Sequence, residues 1–99
     1  LRIQKYVVQS ETETQVVLEV SSTEALRGVV IRDQLPEGVS LSGEMVSDDM
    51  NMVFETLTFN LGDIASDYKA TIYYSVQLSE GTDTTTLLLA PTMTWSVRP

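Results

Sequence analysis

From Tyr68 to Leu78 the chain changes character at every residue. Tyr68, Ala70, Ile72, Tyr74, Val76 and Leu78 fall on one side, and Lys69, Thr71, Tyr73, Ser75 and Gln77 on the other. A helix would repeat every 3.6 residues, whereas an extended strand repeats every two. A strand of this kind has one dry face and one wet face, and the dry face must be covered by a second layer. The same alternation sets Val16, Leu18 and Val20 against Val17, Glu19 and Ser21. It sets Leu57, Phe59 and Leu61 against Thr56, Thr58 and Asn60, and Met93, Trp95 and Val97 against Thr92, Thr94 and Ser96. Valine and threonine suit such a pleated, half-buried surface.

The pattern predicts strands over Arg2–Gln9, Thr14–Ser22, Gly28–Gln34, Ser40–Val46, Val53–Leu61, Lys69–Ser79 and Thr84–Val97. Turn chemistry separates them: Leu-Pro-Glu-Gly at Leu35–Gly38, Asp-Asp-Met-Asn at Asp48–Asn51 and Glu-Gly-Thr-Asp at Glu80–Asp83. Pro91 cannot donate to a sheet ladder, so the last run reads as one strand with a bulge or as two pieces of a bent strand. Ser22–Arg27 is the one segment able to wind into a short helical turn, and a helix is not expected there. About seven short strands at this spacing predict an all-β, immunoglobulin-like antiparallel sandwich.

With 99 residues the chain is read as a single domain, 1–99. It begins at Leu1 rather than a methionine, which suggests a segment of a larger multidomain protein. The 14 acidic and 6 basic residues give a formal charge of -8, which repels nucleic-acid backbones and anionic lipid. No apolar run reaches the roughly 20 residues of a membrane helix, so direct insertion by this segment is not expected. The absence of cysteine excludes disulfides and thiolate metal sites, and the absence of histidine removes the commonest general base and zinc ligand.

Two stretches carry a family likeness. Val29-Val30-Ile31-Arg32-Asp33-Gln34-Leu35-Pro36-Glu37-Gly38-Val39 resembles the valine-rich strand and Asp-x-Leu-Pro-x-Gly signature of a conserved-repeat domain of bacterial and archaeal cell-surface proteins. Thr56-Leu57-Thr58-Phe59-Asn60-Leu61-Gly62-Asp63-Ile64, with the following strand Lys69–Leu78, resembles that family's Leu-Gly stretch and threonine-rich strand. The layout is also similar to lumenal or extracellular accessory domains, including a translocon-associated subunit. Two places depart from the family pattern: Ser21–Ala25, where Asn-x-Gly is usual, and Ala65–Asp67, where a Gly-rich turn is usual. The resemblance implies an immunoglobulin-like sandwich, no catalytic residues, and tandem use on extracellular stalks and surface layers.

The residues themselves give the same motifs a structural reading. Pro36 fixes its own φ and extends Leu35, Gly38 accepts a positive φ, and Asp33 accepts backbone N–H groups in the turn. Gly62 is read as serving a turn after Leu61.

Chemistry has few candidates, and the expectation is no enzyme, no cofactor and no metal. A Ser-Lys pair would need Lys5 or Lys69, and the adjacent Asp48 and Asp49 point apart on a strand. Glu44, Asp48, Asp49 and Asn51 are oxygen ligands of the calcium type in one loop, but lack the spacing of a calcium loop; a solvated acidic loop is the competing reading. Met45, Met50 and Met52 could bind Cu(I), though methionines more often fill gaps in a core. A self-formed Lys–Asn crosslink would need Lys5 or Lys69 buried beside Asn51 or Asn60, with a carboxylate near. Trp95 is read as core, on the face of Met93 and Val97. Tyr73 is read as exposed, either a half-covered sheet residue or part of a contact surface.

The resulting expectation is a non-catalytic structural or adhesive module, a spacer or stalk repeat of an extracellular or cell-surface protein. Its partners would be neighbouring domains or other proteins. The alternative is an accessory domain that docks a partner through an edge strand or loops. Unprotected sheet edges would permit homodimers.

Overall fold

The computed structural model describes residues 1–96. It is a two-layer antiparallel β-sandwich. The strands are β1 (Arg2–Gln9), β2 (Thr14–Ser22), β3 (Leu26–Arg32), β4 (Val39–Leu41), β5 (Val46–Ser47), β6 (Val53–Glu55), β7 (Thr58–Ile64), β8 (Tyr68–Leu78) and β9 (Thr92–Ser96). One sheet has the order β1-β2-β8-β4, with β5 also on β8, and the other has the order β6-β7-β3-β9.

Alternation puts Val16, Leu18 and Val20 of β2 and Ile72, Tyr74 and Val76 of β8 on the inner face of the first sheet. They meet Val29, Ile31 and Phe59 of the second, and all are essentially excluded from water. Each such side chain contributes about 1.5–3 kcal/mol on burial. Phe59 is the hinge of the aromatic packing. Its ring lies 5.9 Å from that of Phe54, edge to face, and 6.5 Å from that of Tyr74, stacked.

The expected seven strands become nine because tertiary contacts break two of the runs. Ser40–Val46 is interrupted: β4 pairs with Leu78–Val76 and β5 with Tyr73–Ile72, so both halves run along one partner and the chain between them loops out. Val53–Leu61 is a hairpin instead of one strand. Glu55 pairs with Thr58, and the two-residue turn is Thr56-Leu57. Leu57 adopts φ 55 although it is not glycine. The cost is offset because its side chain is buried, its carbonyl accepts the Asp33 N–H at 2.9 Å and its own N–H lies 3.3 Å from the Met45 sulfur.

The last run is corrected more sharply. Thr84–Leu88 forms a 3-10 helix, not a strand. Asp83 caps it by accepting the Thr85 N–H at 3.0 Å, and Leu87 plugs the core. The third strand begins at Leu26, so the segment before it supplies no helix. Gly62, expected at a turn, lies inside β7 at a β-bulge. It faces Val29 where the register slips, with φ 64. On the opposite strand the Gly28 N–H is held by Asp63 at 3.0 Å.

Candidate functional site

The ionisable cluster lies inside the sandwich. Lys5 sits in β1 between Ile3 and Val7 and shares their inward phase. Asp33 follows Val29 and Ile31 at the same two-residue spacing, just past β3. Tyr74 lies between Ile72 and Val76 in β8. All three therefore point inward from different strands.

The Lys5 ammonium donates to Asp33 Oδ1 at 2.8 Å and to the Leu89 carbonyl at 2.6 Å. The Tyr74 phenol donates to Asp33 Oδ2, and the Gln34 N–H donates to Oδ1 at 2.9 Å. The Lys5 and Asp33 side chains are 7% and 0% exposed, so the pair is desolvated. Two such charges are tolerated only when paired and hydrogen-bonded, as they are here. Burial, then the hydrogen bond to Asp33, then the Asp33 charge push the Tyr74 phenol well above its ordinary value, so it stays a donor.

The cluster ties four pieces of chain together. It joins the edge strand β1, the turn after β3, the central strand β8 and the segment that follows the 3-10 helix. Every acceptor position it uses is met from within the chain, and among the described residues no buried side-chain polar atom lacks a partner.

The acidic loop is also occupied internally. Asp48 accepts the Thr71 N–H at 2.8 Å, while Asp49 accepts the Asn51 N–H at 2.9 Å and the Tyr68 phenol at 2.5 Å. Burial, the Asp49 bond and the charges of Asp49 and Asp48 raise the Tyr68 phenol as well. Glu44 is exposed and joins neither. Among the described residues no group of three or more acidic ligands converges on one point.

The other candidates separate. Met52 is buried and Met45 half-buried, but Met50 is 96% exposed and fills no gap in the core. Lys69 is exposed, as its phase predicts. Lys5 is buried beside Asp33 rather than Asn51 or Asn60, both of which are exposed, so the Lys–Asn crosslink has no partner. Tyr73 is exposed at 37%. Trp95 is not core: it is 40% exposed, because β9 is an edge strand with nothing beyond it and lies opposite the β3 bulge. Val97, expected beside it, lies outside the described residues.

The Lys5–Asp33–Tyr74 cluster was missed as a unit, although its signal was present. Each member continues the two-residue phase of a buried run, which is unusual for a lysine or an aspartate.

Surface hollows are open and shallow. The one between β1, β2 and β8 holds about 330 Å³ and is lined by Arg2, Gln4, Glu19, Asp48, Lys69 and Thr71, among others.

These features define a class: a two-layer antiparallel β-sandwich with a closed ionisable cluster in its interior. Comparison with family models, with curated proteins and with solved structures finds no match.

Proposed function

We propose that the chain is a non-catalytic structural or adhesive module of an extracellular or cell-surface protein, immunoglobulin-like in the manner of the conserved-repeat domains it resembles. The observation that carries this reading is the closed cluster. Lys5, Asp33 and Tyr74 are ionisable side chains drawn into the interior, and they spend their hydrogen bonds on fastening strands to one another. A catalytic group would instead face a cleft where a substrate could reach it.

Arg2 pairs with Ser21 and Ser96 pairs with Arg27, so both lie beside the β2–β3 connection at one end of a body 49 Å long.

Immunolabelling of intact source cells tests the reading. Label on unpermeabilised cells is expected; label that appears only after permeabilisation refutes it.

A second reading, docking by strand addition, is favoured by β9. This edge strand reads Thr-Met-Thr-Trp-Ser, with no charge or proline to block pairing. In that case the Thr92–Ser96 amides exchange more slowly in the full-length protein than in the isolated chain.

A further inference from the structure

The outer face of the β1-β2-β8 sheet carries one apolar row across four strands. Tyr6 is opposite Val17, Val17 opposite Tyr73, and Tyr73 opposite Val46. Tyr6, Tyr73 and Val46 are 40%, 37% and 39% exposed, yet Val17 between them is only 7% exposed. Val17 points away from the core and is absent from the core cluster. The row is thus a small apolar cluster of its own on a face that no other element covers among the described residues.

The rows on either side are mainly polar, with the exposed Val8 opposite Gln15 as the exception, and they differ in charge. Two steps toward one end of the strands lie Arg2 and Lys69, in register with Ser21. Among the described residues Lys5–Asp33 is the sole ion pair, so neither of these cations has an ion-pair partner among them. Two steps toward the other end lies Glu13, whose carboxylate accepts the Ser75 hydroxyl and is thereby held toward the outer face. One step out on the basic side come Glu19 and Asp48, and one step out on the acidic side come Gln15 and Ser75.

We propose that this face binds a second copy of the chain, sheet against sheet, about a two-fold axis lying along the Tyr6–Val17–Tyr73–Val46 row. Such an axis stacks the row on itself and reverses the strand direction. Arg2 and Lys69 of one copy then come over the Glu13 end of the other, and Glu19 comes over Gln15, whose side-chain amide can donate to it. The arrangement occurs twice by symmetry and is the aligned packing that antiparallel sheets adopt. Four strands about 4.8 Å apart and five rows about 6.6 Å apart enclose roughly 600 Å² of sheet on each copy. That is the lower end of specific interfaces, so association is weak, with dissociation constants on the order of tens to hundreds of micromolar.

Sedimentation equilibrium of the intact chain up to about 1 mM tests this. The expected mass rises from 11.0 kDa toward twice that value, and less so at high salt. Replacing Tyr6 and Tyr73 together by Ser should abolish the rise while the melting transition persists, since both side chains are exposed. Lys69→Glu and Glu13→Lys should each weaken association about ten-fold, and the double reversal should restore it. A chain that stays monomeric to about 1 mM overturns the proposal. So does association that survives the tyrosine changes but is lost in Thr94→Lys, because the contact would then run through the β9 edge. Additive rather than compensating charge reversals overturn it too.

Discussion

Lys5 and Asp33 stand 28 residues apart in the chain and 2.8 Å apart in space, and their contact joins an edge strand of one sheet to the turn leaving the other. The carboxylate is wholly buried and takes its remaining bonds from Tyr74 and from the Gln34 N–H. The turn motif around Asp33 is therefore more than a local turn: it is anchored across the sandwich.

Lys5→Met should cost about 3–5 kcal/mol, because it strands a buried carboxylate without its cation. Adding Asp33→Asn to that variant should recover part of the loss, since an amide keeps hydrogen-bonding capacity without the charge. Urea denaturation of the two singles and the double measures the coupling. Purely additive losses would mean that the pair contributes no interaction of its own.

Alkaline pH should unfold the protein through the buried phenol of Tyr74 and the half-buried phenol of Tyr68. Tyr74 and Tyr68 hold their protons in the folded state beyond the ordinary value of 10.0, while the unfolded chain releases them near it. Their contribution is intact below that pH and is lost as pH rises past it toward the folded values. Denaturation from about pH 8 to about pH 11 should show stability falling only in the upper part of the range. Tyr74→Phe, though weaker throughout, should fall less steeply there.

Gly38 and Gly81 share φ 85, so alanine at either position meets the same backbone strain. They differ in surroundings. A Cβ on Gly38 would stand 2.5 Å from the Thr82 hydroxyl and 2.8 Å from the Ser79 hydroxyl, whereas one on Gly81 meets nothing. Making room requires those hydroxyls, 3.0 Å apart, to turn away from each other. Gly38→Ala should thus be about 1 kcal/mol less stable than Gly81→Ala. Equal melting temperatures for the two would show that the hydroxyls yield without cost.

Trp95 and Phe59 should respond oppositely to their size. Phe59 is fully buried between Phe54 and Tyr74, and Phe59→Ala should cost about 3–5 kcal/mol. Trp95 is the larger side chain but lies on an open edge, so Trp95→Ser should cost about 1 kcal/mol or less. Thermal melting of the two variants ranks them, and a larger loss at Trp95 would contradict the edge position.

Much of the fold was legible because a two-residue period is a local property. It located β1 and β2 to the residue, gave β8 within one position, and assigned Val16, Leu18, Ile72, Tyr74 and Val76 to one face. The same phase held the site's signal, since Lys5, Asp33 and Tyr74 each extend a dry run. The misses came where tertiary contacts overrule local preference. Thr84–Leu88 looks like a strand from its threonines, but Asp83 caps it into a helix and Leu87 finds a place in the core. The Thr56-Leu57 turn carries none of the residues turns favour, and it forms because Leu57 is gripped by the core, Asp33 and Met45.

The sequence by itself determined that this chain is two antiparallel layers, because alternating wet and dry residues leave each strand one face that must be covered. Only the tertiary structure decided which strands sit at the edges, and therefore that Trp95 is exposed. It alone brought Lys5 to Asp33, since partners so far apart in the chain are chosen by sheet order and register, and a local period encodes neither.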